Sequence, residues 1–260
     1  MPDFWIGEDW TPLIIGSVAF GVVIYGFSKT AMPVAGMVAS ALLAAALGPT
    51  IASGFVVPLL LVGDVFALNF YRQHADWSLI RRLIPGVLGG FVLTAAMFVY
   101  LPTSLLTRIL GVLILVTAGL EAWRIRTERR ADFVAPVDVA RSSKVGVAFF
   151  GTLTGVTTMA ANAGGAALTL YLVKMRVPIL TFMGTSTWFF FILNVIKVPF
   201  VVGLGLLTWD SLWTSALFLP LLVAGVILGR WAISRMNKAT FVWIGLGLSS
   251  LGGLWLMLRG

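Results

Sequence analysis

The chain contains no cysteine, which excludes disulfides, thiolate metal sites and cysteine nucleophiles. Its single histidine, His74, lies in a loop among arginines, so a histidine-built metal centre is excluded too. Charge is scarce: 11% of the 260 residues are Asp, Glu, Lys or Arg, against 59% hydrophobic ones. So little charge cannot coat a soluble domain of this length. Alternating ten-residue strand patterns are missing, which removes a transmembrane β-barrel. The start, Met1 to Trp10, is acidic and lacks the basic region of a signal peptide, so the first apolar segment is expected to stay in the mature protein.

What is present is apolar sequence. Runs such as Pro199–Leu207, Leu212–Leu228 and Phe241–Leu258 recur, and the mean hydropathy is +1.01. This is the composition of an all-α polytopic membrane protein. The net charge of +8 does not indicate nucleic acid as a partner, because Lys and Arg collect in a few loops, as they do beside the cytoplasmic ends of membrane helices. These loops are 71–82, 123–144, 174–176 and 230–240. Placing them inside puts both termini outside, in a multi-pass protein of a bacterial cytoplasmic (inner) membrane. Trp10, Trp77, Trp123, Trp209 and Trp231 fall near segment ends, where interfacial anchors belong.

Two places interrupt the apolar pattern. Gly155–Gly165 holds two threonines, an asparagine and three glycines, and Gly26-Phe-Ser-Lys-Thr30 carries a charge. Within a bilayer a helix gives up its pairing only where protein or a water-filled cavity covers the break. The arms around these breaks, 13–27 with 34–47 and 145–157 with 164–173, are short; 13–27 makes roughly 22 Å of helix, against a ~30 Å hydrocarbon core. They are expected to be broken or re-entrant helices at the centre of the molecule. A third interruption is expected at Asn194–Pro199, because 178–206 is too long for one straight span.

The two halves resemble each other. Pro85-Gly-Val-Leu-Gly-Gly90 echoes Pro220-Leu-Leu-Val-Ala-Gly225, yet the charged loops make these segments run in opposite directions. The expected organisation is therefore two inverted-topology repeats, 1–122 and 145–260, joined by a basic cytoplasmic linker, 123–144. Transporters of that design bind substrate near the midplane on discontinuous helices. The Gly-x-x-x-Gly spacings at Gly86/Gly90, Gly151/Gly155 and Gly225/Gly229 point to close helix packing.

Lys29 and Lys197 are the cations expected to face a cavity, since a lysine at the bilayer centre costs about 2.5–3.5 kcal/mol. Asp64 needs compensation of its own and is either the charge partner of a lysine or the group that takes up a coupling proton. Ser28, Thr30, Thr157, Thr158, Asn162, Thr185, Ser186 and Asn194 are the neutral hydrogen-bonding groups expected around them. Cations, hydroxyls, amides and helix N-termini together suit a small anion. No general base stands near a serine in sequence, so enzymatic catalysis is not expected, and no cofactor or metal is called for. An anion channel, or less favourably a membrane-embedded enzyme, is the alternative.

The chain also resembles the sulfite exporter TauE/SafE family of membrane transporters. The resemblance rests on Gly26-Phe-Ser-Lys-Thr30, Asp64-Val-Phe-Ala-Leu-Asn-Phe-Tyr-Arg-Gln-His-Ala-Asp-Trp77 and Arg82-Leu-Ile-Pro-Gly86 in the first half. In the second it rests on Thr157-Thr-Met-Ala-Ala-Asn-Ala-Gly-Gly165, Gly184-Thr-Ser-Thr-Trp-Phe-Phe-Phe191 and Asn194-Val-Ile-Lys-Val-Pro199. Gly165 departs from the pattern, which has proline there. The resemblance implies secondary transport of sulfite, an organosulfonate or a short carboxylate across the membrane.

Overall fold

The structure, a computed structural model, describes residues 10–31, 35–128, 143–175, 177–232, 235 and 238–259. Its elements begin where the sequence supplies caps. Thr11 precedes Pro12, a residue whose missing N–H costs nothing at a helix start, and α1 runs Pro12–Thr30. Gly48, at φ 80°, turns the chain between α2 (Ala35–Leu47) and α3 (Pro49–Tyr71). A short 3-10 turn follows, and the Asp76 carboxylate then caps Ser78 and Leu79 at the start of α4 (Trp77–Tyr100). The remaining helices are α5 (Thr103–Glu128), α6 (Lys144–Ala161), α7 (Gly165–Lys174), α8 (Ile179–Gly203), α9 (Trp209–Ala232) and α10 (Lys238–Arg259). No strand occurs among the described residues, and six helices are long and apolar enough to cross a membrane. Large apolar side chains such as Phe20, Val92, Leu217 and Leu251 face outward, as they do where the surrounding solvent is lipid. The protein is an all-α, multi-pass membrane protein.

The helix pairings of the first five helices recur in the last five. α1 lies along α9 as α6 lies along α4; α2 packs on α10 as α7 packs on α5; α3 packs on α8 and α5 on α10. Glycines make the closest of these contacts. A Cβ on Gly26 would meet the Leu222 carbonyl, and one on Gly90 would meet the backbone of Thr152 and Val156. Gly86 and Gly90 thus face Gly151 and Gly155, while Gly225 and Gly229 face α1, so all three glycine pairs are packing surfaces.

Four expectations are corrected. The segment at Asn194–Pro199 is not interrupted: α8 is continuous through Pro199. Asn194 Nδ2 and Lys197 Nζ find acceptors in Asp64 on α3 and in Asn162 just after α6, so the stretch sits within an intact helix. The first break does not include Ser28–Thr30, which form the last turn of α1; at 19 residues, or ~28 Å, that helix is long enough to span. The second break shrinks to Asn162–Gly164, because Thr157 and Thr158 remain helical; α6 ends on Asn162, whose left-handed backbone (φ 50°) turns the chain. Only α2 and α7 are short arms. Finally, Trp10 is buried against Phe218, ring centroids 6.1 Å apart, rather than standing at the surface. Trp77, Trp123, Trp209 and Trp231 are exposed.

α5 runs on to Glu128, past the end of its apolar segment. Residues 129–142 of the basic linker, with Arg129, Arg130 and Arg141, lie outside the described residues, as do the acidic start with Asp3, Glu8 and Asp9, and Arg176.

Candidate functional site

The end of α1, the break between α6 and α7, and the middle of α3 and α8 converge on one cavity of about 100 Å³. At about 10–15 Å³ per water, that is room for a small solute. Its polar lining comes from α1 (Tyr25, Ser28, Lys29, Thr30), α3 (Asp64), α6 and its C-cap (Thr158, Asn162), α7 (Thr169) and α8 (Ser186, Thr187, Asn194). Leu60, Phe182, Met183 and Phe190 supply apolar wall. The cavity reaches toward the end of the molecule where α1 and α3 finish and α8 begins.

Lys29 is held by an ion pair: its Nζ lies 2.5 Å from Asp64 Oδ1. Asp64 is 2% exposed, and its other oxygen accepts from Asn194 Nδ2 at 2.6 Å. Two charge-assisted contacts therefore offset the loss of water around this carboxylate. Lys197 is treated differently. It is fully buried, donates to Asn162 Oδ1 at 2.7 Å and to the Thr158 carbonyl at 3.2 Å, and has no acidic partner among the described residues. It does not line the cavity; Asn162 and Thr158 stand between the ammonium and the space.

Lys29, Asp64, Ser28, Thr30, Thr158, Asn162 and Asn194 are thus brought together, with Lys197 one layer behind. Two of the expected site residues are elsewhere. The Thr157 hydroxyl donates to the Leu153 carbonyl within its own helix and does not line the cavity. Thr185 is buried but accepts from the Asp76 N–H at 2.9 Å, where it fixes the loop before α4.

Sequence reasoning missed Tyr25, Thr169 and Thr187. Tyr25 lies one helical turn before Lys29 and so shares its face, a spacing that pointed to it. Its hydroxyl pairs with Ser40 at 2.6 Å. Beyond Tyr25 and Asn162 lies a second, smaller cavity of about 10 Å³, bordered also by Ser40 and Ser53. Tyr25 and Asn162 are the residues common to both.

The sequence matches the family model described as Sulfite exporter TauE/SafE over residues 17–256. The chain belongs to the TauE/SafE family. This is a family of membrane transporters, and the match takes in every residue that lines the cavity. Comparison with curated proteins and with solved structures gave no match. In this TauE/SafE protein Gly165 opens α7 and borders the cavity, so the departure from proline falls at the first residue of that helix.

Proposed function

We propose that this TauE/SafE protein is a secondary transporter that moves a small anion, such as sulfite, an organosulfonate or a short carboxylate, across the bacterial cytoplasmic membrane through this cavity. The observation that carries the reading is Lys197, a buried lysine with only neutral partners among the described residues, placed one layer behind the cavity in an otherwise apolar molecule. An uncompensated buried charge is costly, and an anion entering the cavity supplies its counter-charge. Lys29 adds a second cation at the wall, Asn162 and Thr158 orient the anion, and Asp64 positions Lys29.

The recurring helix pairings support two inverted-topology repeats. With the basic loops inside, both termini lie outside and the cavity faces the cytoplasm. Tyr25 and Asn162 then stand between it and the small outer cavity, which favours a carrier that closes on one side over a channel with a continuous pore. Asp64 is also the candidate for coupling: a proton reaching it releases Lys29.

The test is counterflow in proteoliposomes loaded with unlabelled sulfite, thiosulfate, sulfoacetate, acetate or oxalate, each exchanged against its labelled form. Saturable exchange supports the carrier. Non-saturating flux without counterflow favours the channel, and turnover of an added compound without a sealed vesicle favours an enzyme.

A further inference from the structure

The polar groups around the cavity divide into those already used and those left over. The Ser28, Thr30 and Thr187 hydroxyls donate to the backbone carbonyls of Tyr25, Val226 and Met183. Thr158 Oγ1, Ser186 Oγ and Asn194 Oδ1 are buried, belong to cavity-lining residues and have no protein partner.

The orientation of the Asn194 amide is dictated by its neighbour. A carboxylate paired with a lysine only accepts hydrogen bonds, so the atom facing Asp64 Oδ2 is the Nδ2 donor. The carbonyl Oδ1 is therefore the unused end. It is an obligate acceptor, buried at 1% residue exposure, and a buried carbonyl left without a donor is costly.

The opposite chemistry also lines the cavity, from α6 and α7. The first N–H groups of α7 have no acceptor within their own helix, and Gly165 at its start borders the space. Beside them is the unpartnered Thr158 hydroxyl, which occupies the place a side chain on Gly164 would take. A helix N-terminus with an adjacent hydroxyl seats an anionic head. Charge completes the description: Asp64 matches Lys29, whereas Lys197 faces no carboxylate among the described residues.

From these leftovers we infer that the cavity takes a monoanion that also carries an O–H or N–H donor, and that Asn194 is the specificity residue that reads this donor. The inference rests on the anion-carrier reading for the presence of an anion, and adds the class of anion. Hydrogensulfite, a hydroxysulfonate or a 2-hydroxy acid meets the description; a fully ionised dianion without a donor does not. The anionic head sits against Thr158, Ser186 and the start of α7, and the donor points at Asn194 Oδ1.

The experiment uses two probe pairs that differ by one hydroxyl: ethanesulfonate against 2-hydroxyethanesulfonate, and acetate against glycolate. Binding to the full-length protein in detergent is read from ligand-dependent thermal unfolding, and transport from competition in counterflow. The expected result is that each hydroxylated probe binds roughly tenfold more tightly or better, because a site built around a hydrogen bond rejects the analogue that lacks it. Thr158→Val weakens both members of a pair and keeps the ratio, whereas Asn194→Ala brings the ratio to about one. A wild-type ratio near one in both pairs overturns the proposal, and so does a ratio that survives Asn194→Ala. If Asn194→Ala does not fold, the wild-type ratios decide alone. Exchange without discrimination sinks this inference and leaves the carrier standing. Discriminating binding without exchange sinks the carrier and leaves this inference standing, and no binding of any probe removes both.

Discussion

Lys197 donates to Asn162 across 35 residues of chain, the same separation that joins Lys29 to Asp64. Each bond links the end of one helix to the interior of the helix two later in the chain, α1 to α3 and α6 to α8. One half carries a matched ion pair and the other a cation bonded to an amide. The two lysines are thus held differently, and each can be tested separately.

Removing the lysine of the matched pair is expected to harm both stability and transport. Lys29→Ala leaves a carboxylate buried beside Asn194 alone, a loss on the order of 3–5 kcal/mol. Lys29→Gln combined with Asp64→Asn is expected to recover most of that stability without recovering exchange. Thermal unfolding of Lys29→Gln, Asp64→Asn and the double variant, read as a cycle, measures the coupling; additive losses would show that the pair does not act as a unit.

Lys197→Met is expected to fold with a loss of no more than about 1–3 kcal/mol, since it removes a buried amine but leaves the Asn162 Oδ1 acceptor without its donor. Anion exchange should fall more than tenfold. Exchange at the parental rate would remove Lys197 from the site.

Asp64→Asn separates coupling from binding. If a proton on Asp64 drives the cycle, counterflow at equal pH persists in this variant while accumulation driven by a pH gradient is lost. Unchanged gradient-driven uptake would leave Asp64 as a positioning residue only.

Thr185→Val should cost about 1 kcal/mol in stability, by leaving the Asp76 N–H without its acceptor, and should leave the concentration dependence of exchange unchanged. Thr158→Val should do the reverse. The comparison of apparent KM with melting temperature in the two variants distinguishes a wall residue from a loop brace.

Glycines offer a test of the packing. Gly26→Ala pushes a methyl onto the Leu222 carbonyl and is expected to cost about 1–3 kcal/mol. Gly89→Ala meets nothing within 4 Å and should be neutral or better by up to about 1 kcal/mol. Equal effects on the melting temperature would contradict the close approach of α1 to α9.

The sequence made the class of fold legible because hydropathy and the scarcity of charge act over whole segments. It also pointed to Lys29, Asp64, Asn162 and Asn194, since polar groups in apolar runs must find one another. It was less informative about where helices stop. Thr157, Thr158, Asn194 and Lys197 looked like helix breakers, yet each sits within a helix: Asn194 and Lys197 find partners outside their own helix, and the Thr157 hydroxyl turns back to the Leu153 carbonyl of its own. Thr185 was drawn into the site by its chemistry alone; its bond to Asp76 spans 109 residues, and no local pattern encodes it. Tyr25 was passed over because an aromatic residue in an apolar run reads as core.

The interleaving of the halves also sets a timetable for assembly. Thr30 on α1 donates to the Val226 carbonyl on α9, a partner 196 residues downstream. At ~5–20 residues per second, the ribosome delivers that partner on the order of 10–40 s after Thr30 itself. Throughout that interval the small-residue face of α1 waits in the membrane uncovered, while α4 waits in the same way for α6. Newborn chains are therefore most exposed to wrong partners and to quality-control proteases before α9 arrives, and a truncated product that ends ahead of α9 is the species such surveillance would meet.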